Sequence, residues 1–70
     1  MAKKEAKRTT SELIMDMRGI LDAAETEARR LDEDGVKVAA SRVRKGMQEI
    51  KRLAKIVRDT ALEKQKELRG

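Results

Sequence analysis

The spacing of the apolar residues constrains the fold of this chain most, because they recur on alternating steps of three and four. This spacing places them on one side of an α-helix and is typical of a coiled-coil seam. The chain contains no Pro that would interrupt such helices. The first seam contains Ile14, Met17, Leu21, Ala24, Ala28 and Leu31, widened by Leu13 and Ile20. The second contains Val36, Ala40, Val43, Met47, Ile50, Ala54, Val57 and Ala61, broadened by Ala39 and Leu53. The pattern predicts one helix over residues 10–32 and another over residues 36–67.

A short break separates the two predicted helices. Gly35 follows three acidic residues and can adopt the left-handed conformation that ends a helix. Thr9 and Glu12 have the spacing of a capping box, which opens the first helix. A turn confined to residues 33–35 forces the second helix to fold back antiparallel. The sequence therefore predicts an all-α, coiled-coil-like antiparallel helical hairpin over residues 10–70, preceded by a basic arm over residues 1–9.

A hairpin of this size covers each helix along only one stripe. The chain has 70 residues, and small domains need a further source of stability such as self-association. Met15, Ile56 and Leu62 lie off the seams and indicate a further apolar contact. We therefore expect two copies to dimerise into a four-helix bundle.

Two glycines lie inside the predicted helices, where each costs about 1 kcal/mol relative to Ala. Gly19 has the pattern of a tolerated surface glycine. Gly46 lies beside the seam, so it is either another surface glycine or a point where a partner helix approaches closely.

Several functional classes are excluded by composition. The chain has no His, Cys or Tyr, so the usual general bases, nucleophiles and metal ligands are missing. The remaining acids lie on a predicted exposed helix face and have no enclosed pocket. No apolar run is long enough to cross a bilayer, and the chain has no aromatic anchor for a membrane surface. We expect no enzyme, no cofactor, no metal site and no membrane partner.

Charge divides the chain into an acidic front half and a basic back half. Residues 10–34 carry eight acids and three bases, whereas residues 36–58 carry eight bases and one acid. In an antiparallel hairpin, Glu25 is expected to pair with Arg44, and Asp32 with Lys37. Arg42, Lys45 and Arg52 have no such partner and project away from the seam. We expect these three to bind an anion rather than only to increase solubility.

One stretch resembles a known family. Residues 35–45, GVKVAASRVRK, and residues 47–54, MQEIKRLA, resemble the bacterial linker-histone-like family, the chlamydial-type histone-like nucleoid proteins. The shared pattern is a Gly-x-Lys turn, an Ala-rich helix, Arg-Val-Arg-Lys and then an amphipathic helix. The resemblance covers about a third of the chain, with little contribution from the first helix. It implies non-specific binding of double-stranded DNA, nucleoid compaction and a cytoplasmic location, with Arg42, Arg44 and Lys45 at the centre of the basic motif.

Charge and resemblance lead to the same functional hypothesis, which is sequence-non-specific binding of the double-stranded DNA backbone. The lack of aromatic residues argues against stacking on single-stranded bases. The alternative is a structural coiled-coil adaptor whose charges only specify helix pairing. The predicted DNA-binding residues are Arg42, Arg44, Lys45, Lys51, Arg52, Lys55 and Arg58 of the second helix, and Lys3, Lys4, Lys7 and Arg8 of the arm.

Overall fold

The computed structural model describes residues 8–69, which form two α-helices. α1 covers Thr10–Asp34 and α2 covers Lys37–Arg69, so each helix ends two residues later than its predicted end. The helices pack against each other in antiparallel directions, which confirms the predicted all-α hairpin. The division into a basic arm and a hairpin stays a prediction, because residues 1–7 lie outside the described range.

Side chains and backbone groups define both ends of α1. The Thr9 hydroxyl accepts a hydrogen bond from the Glu12 amide at 3.1 Å, and the Glu12 carboxylate accepts one from the Thr9 amide at 3.1 Å. This is the predicted capping box. At the other end, Gly35 has a φ of 64° and donates to the carbonyl of Leu31 at 3.2 Å. The Val36 amide donates to the Arg30 carbonyl at 3.3 Å, which completes a Schellman-type helix end.

The core lies mainly on the residues that broaden the predicted seams, and Ala24 is the buried residue that belongs to a seam itself. The buried apolar side chains are Leu13, Ala24, Ala39 and Leu53. Ile14, Leu21 and Met47 were assigned to the seams, but they are 46%, 48% and 41% exposed, and the seam residue Ala61 is also exposed. The prediction was wrong at these positions because two adjacent apolar stripes run along each helix, and only one of them can face the other helix.

Small residues bring the two helices together near the middle of the hairpin. A Cβ atom at Gly46 would lie 3.5 Å from the Cβ of Ala24 and 3.8 Å from Cγ2 of Ile20. Gly46 therefore faces α1 of the same hairpin. An alanine methyl group would be at ordinary van der Waals distance, so no clash requires glycine at this position. A Cβ at Gly19 would meet nothing within 4 Å, as expected for a surface glycine.

α2 is longer than α1 and determines the length of the molecule. Its 33 residues extend about 50 Å at 1.5 Å per residue, and the longest dimension of the hairpin is 53 Å. Thr10, at the start of α1, borders the same surface depression as Thr60 of α2. The last turns of α2, residues 61–69, are exposed, and Glu63, Lys64 and Glu67 border the same depression.

Candidate nucleic-acid interface

α2 presents a line of exposed cations, which we call the basic line: Arg44, Lys51 and Arg58. These residues are seven apart, so their side chains follow one edge of the helix at intervals of about 10.5 Å. None of them forms an ion pair with residues 8–69. None has an acidic residue three or four positions away, where a helical partner would have to lie. The basic line is therefore the part of α2 whose charge is least neutralised by the hairpin itself.

Three other predicted site residues of α2 are paired with carboxylates. Arg42 lies 3.6 Å from Glu27 across the hairpin, while Arg52 lies 2.5 Å from Glu49. The expectation that these two cations lack carboxylate partners was wrong. The remaining pair joins Lys55 to Asp59 at 3.1 Å.

The spacing of residues along α2 explains two of these pairs. Arg52 lies three residues from Glu49, and Lys55 lies four residues from Asp59, which are the spacings that bring helical side chains together. The hydrogen bond to Glu49 raises the pKa of the Arg52 guanidinium, and the negative charge of Glu49 acts in the same direction. Exposed pairs of this kind contribute little net stability, so a phosphate can replace the carboxylate at low cost.

Glu27 is the carboxylate most enclosed by the fold. Its side chain is 21% exposed, and its Oε1 atom is buried without a hydrogen-bond partner among the described residues. It lies in a groove between the helices, which we call the carboxylate groove. The lining residues are Ile20, Ala23, Ala24, Glu27, Arg42, Lys45, Gly46 and Glu49. Lys45 is the one cation of this groove without an ion pair to residues 8–69.

The two ion pairs expected between the helices do not form within residues 8–69. Glu25 instead pairs with Arg29 on its own helix at 3.2 Å. Glu25 and Arg44 are level along the hairpin, since their numbers add up to the same total as those of the observed pair Glu27 and Arg42. At about 100° per residue, however, they point away from each other, to opposite edges of one face. The same geometry separates Asp32 from Lys37.

Between those two edges lies an exposed apolar face on the side of the hairpin opposite the carboxylate groove. Helical periodicity places Ile14 and Leu21 of α1 on this face, together with Met47 of α2. The three smaller residues of the apolar face are Ala28, Ala40 and Ala54. Arg18, Glu25 and Asp32 follow its α1 edge, and Lys37 with the basic line follows its α2 edge. Arg18 and Lys37 form no ion pair with residues 8–69, and the sequence analysis did not include them in the site.

Of the four cations predicted to bind DNA from the arm, Arg8 lies within the described residues. Arg8 is exposed and pairs with Asp16 of α1. Lys3, Lys4 and Lys7 lie outside the described residues. The arm therefore stays a prediction as a source of DNA contacts.

Other kinds of site find no support in the described part of the chain. Within residues 8–69, no group of three or more acidic, His or Cys side chains is arranged to hold a metal ion. Neither described helix combines the length and apolar character needed to cross a membrane.

Comparison with known proteins shows which family the chain resembles. The family model described as histone H1-like protein Hc1 matches residues 11–67. The match includes nearly all of α1, which had contributed little to the resemblance recognised in the sequence. No curated protein and no solved structure matches the chain.

The family match decides two of the predictions. It confirms the resemblance to chlamydial-type histone-like proteins. It also confirms that the chain is not an enzyme, because this is a family of non-enzymatic DNA-binding proteins. Membership implies DNA binding and condensation. On the strength of a match over most of its length, this chain belongs to the histone H1-like protein Hc1 family.

Proposed function

We propose that this protein binds double-stranded DNA without sequence preference through the exposed cations of α2, and that it helps to compact the nucleoid in the cytoplasm. In this proposal the protein acts as a homo-oligomer, most simply a dimer that forms a four-helix bundle. The basic line carries the proposal, because it presents three positive charges with no partner among residues 8–69 along about 21 Å of helix.

The physical basis of the affinity is the release of counterions. Each phosphate that a Lys or Arg neutralises frees ions condensed on the duplex, which gives binding that is independent of sequence and sensitive to salt. Arg44, Lys45, Lys51 and Arg58 supply this charge directly. Arg42, Arg52 and Lys55 supply it after exchanging a carboxylate for a phosphate.

The choice of duplex DNA follows from what the side chains can do. The chain contains no Phe, Trp or Tyr, so it lacks the rings on which single-stranded bases stack. Point charges on a rigid helix suit the phosphate backbone, whose charge is densest in a duplex. We therefore propose the backbone, and not base edges, as the recognised element.

The ion pairs favour a second candidate function, a structural coiled-coil adaptor. Arg42, Arg52 and Lys55 are paired within the hairpin, and the apolar face offers a surface for another helix. In this alternative the cations of α2 specify helix pairing and bind no phosphate. The two functions differ in whether the unpaired cations affect DNA affinity.

A matched pair of triple variants tests the proposal. One variant changes the basic line, Arg44, Lys51 and Arg58, to Ala, and the control changes the paired residues Arg42, Arg52 and Lys55 to Ala. Both variants remove three positive charges. Affinity for a short duplex of random sequence is measured by fluorescence anisotropy across a salt series, and helicity is checked by circular dichroism.

The two variants should differ in both affinity and salt dependence. The slope of log K against log salt becomes shallower by about 0.9 for each phosphate that is no longer neutralised, so the slope of the first variant should be shallower by about 2.7. The slope of the control should change less, because its cations are already partly neutralised. If the wild type itself does not bind the duplex, the DNA-binding function is refuted and the adaptor is favoured. If both variants bind as tightly as a wild type that binds, the assignment to the cations of α2 is wrong. If both are weakened equally, net charge governs binding and the assignment to the unpaired cations is wrong.

A further inference from the structure

We propose that the apolar face is covered by a second copy of the chain whose turn lies at the same end, and that the resulting dimer bridges two DNA duplexes. Within residues 8–69, each hairpin buries only four apolar side chains. The apolar face exposes two large aliphatic side chains and a Met along one side of the hairpin. A surface of this kind on a domain with so small a core is best covered by an identical surface, since two copies then bury both faces at once.

Symmetry allows two ways to place the second copy face to face. If the two-fold axis runs parallel to the helices, α1 lies over α2 of the second copy, and both turns are at the same end. If the axis runs across the helices, α1 lies over α1 and α2 over α2, and the turns are at opposite ends. The charges along the edges of the apolar face distinguish these arrangements.

Charge complementarity favours the parallel axis. In that arrangement Glu25 lies level with and beside Arg44 of the second copy, and Asp32 lies beside Lys37 of the second copy. These are the pairs that cannot form within one hairpin, because their members point to opposite edges of the face. With the crossed axis, the α2 edge of one copy lies along the α2 edge of the other, and neither edge carries an acidic residue that could pair with its cations. Like charges at such positions oppose pairing.

The apolar residues also stack in matching layers when the axis is parallel. Leu21 lies over Met47 of the second copy, and Ile14 lies over Ala54. Ala28 lies over Ala40 and forms a narrow layer near the turns. Each layer thus combines level residues from all four helices, as in a four-helix bundle.

The same arrangement creates two sites that a single hairpin lacks. On each side of the dimer, Arg18 of one copy lies level with Lys51 of the other, and Arg58 of that other copy lies about 10.5 Å further along the same edge. These cations repel each other unless an anion lies between them, so a phosphate backbone stabilises the cluster. The two clusters are on opposite sides, about two helix diameters or 20 Å apart. One duplex can bind on each side, which makes bridging the expected mode of compaction.

Single cysteines test the orientation, because the natural chain contains none. Leu21→Cys and Met47→Cys are prepared separately, checked by circular dichroism, and oxidised under mild conditions alone and as a mixture. We expect a disulfide-linked dimer only in the mixture, since Leu21 lies over Met47 of the second copy. Cross-linking of either variant alone indicates the crossed axis and overturns the proposed orientation. Absence of the mixed disulfide overturns the proposed interface.

Bridging rests on the proposed DNA binding and is tested separately from it. A biotinylated duplex on beads is incubated with a fluorescent duplex and the protein, and captured fluorescence is measured. The wild type should capture the second duplex, whereas Leu21→Glu, which places a charge in the apolar face, should still bind one duplex and capture little.

The outcomes distinguish the two proposals. If neither duplex binds, the DNA-binding function fails. If the immobilised duplex binds protein but captures no second duplex, DNA binding stands and bridging is overturned. If Leu21→Glu captures as much as the wild type, bridging does not depend on the apolar face and the proposed dimer is wrong.

Discussion

Gly46→Ala offers a quantitative test of the packing between α1 and α2. Replacing glycine with alanine inside a helix gains about 0.8–1.0 kcal/mol from backbone entropy. The new methyl group would lie 3.5 Å from the Cβ of Ala24 and 3.8 Å from Ile20, which is ordinary contact without overlap. Burying a methyl group gains up to about 0.8 kcal/mol, and about half of that at a partly exposed position. We therefore expect the free energy of unfolding to rise by about 1.3 kcal/mol.

Gly19→Ala is the matched control, because a methyl group there meets nothing within 4 Å. It should gain the helix contribution alone, about 0.8–1.0 kcal/mol. A domain of this size shifts its Tm by about 4–8 °C per kcal/mol. Gly46→Ala should thus melt about 5–10 °C above the wild type and a few degrees above Gly19→Ala. Thermal unfolding is followed by circular dichroism at one fixed protein concentration, since oligomers melt in a concentration-dependent way.

A third variant, Gly46→Leu, tests whether the contact with α1 limits the size of the side chain at position 46. Its side chain extends beyond a Cβ that already lies 3.5 Å from the Cβ of Ala24, so we expect overpacking to cost about 1–3 kcal/mol and to lower the Tm. If Gly46→Ala lowers the Tm while Gly19→Ala raises it, the helices are too close together at Gly46 to admit a methyl group. If Gly46→Leu is as stable as Gly46→Ala, Gly46 does not face α1.

The remaining predictions concern the ends of α1 and the competition for cations. Gly35→Ala should lower the free energy of unfolding by about 1 kcal/mol, because Gly35 has a φ of 64° that L-residues adopt at a cost; equal stability in urea titration would contradict this. Thr9→Ala should cost about 1 kcal/mol by removing the capping hydroxyl, with Thr9→Ser as a control that retains it; the assignment fails if both melt alike. Glu49→Gln should release Arg52 and raise DNA affinity about two- to fivefold at low salt. Affinity is measured by fluorescence anisotropy, with Glu33→Gln as a control for net charge. An equal rise in both variants would show that only net charge matters.

The fold could be predicted from the sequence because its signals are local. Thr9 with Glu12 specifies the start of α1, and Gly35 specifies its end. The side of each helix that faces the core could not be read in the same way. Leu13 and Ile14 are neighbours of similar size, and either stripe makes an acceptable seam. Only the packing of both helices shows that Leu13 is inside and Ile14 outside.

The candidate site divides into a predictable and an unpredictable part. The pairing of Arg52 with Glu49 could have been found from their spacing of three residues, and the freedom of Arg44 follows from the lack of any acid three or four positions away. The pair between Arg42 and Glu27 could not, because it depends on the register and relative rotation of two helices. Counting charges therefore identifies the basic helix but not which of its cations are available.

The small core also bears on how folding and binding depend on each other. With four buried apolar side chains among residues 8–69, one hairpin has little stability of its own, so whatever binds only the folded form shifts the equilibrium by mass action. A second copy and a duplex would both act in this way, and each would strengthen the effect of the other. The fraction of folded protein, the fraction of dimer and the fraction of DNA sites occupied then all increase with protein concentration. Compaction would therefore depend steeply on the amount of protein in the cell.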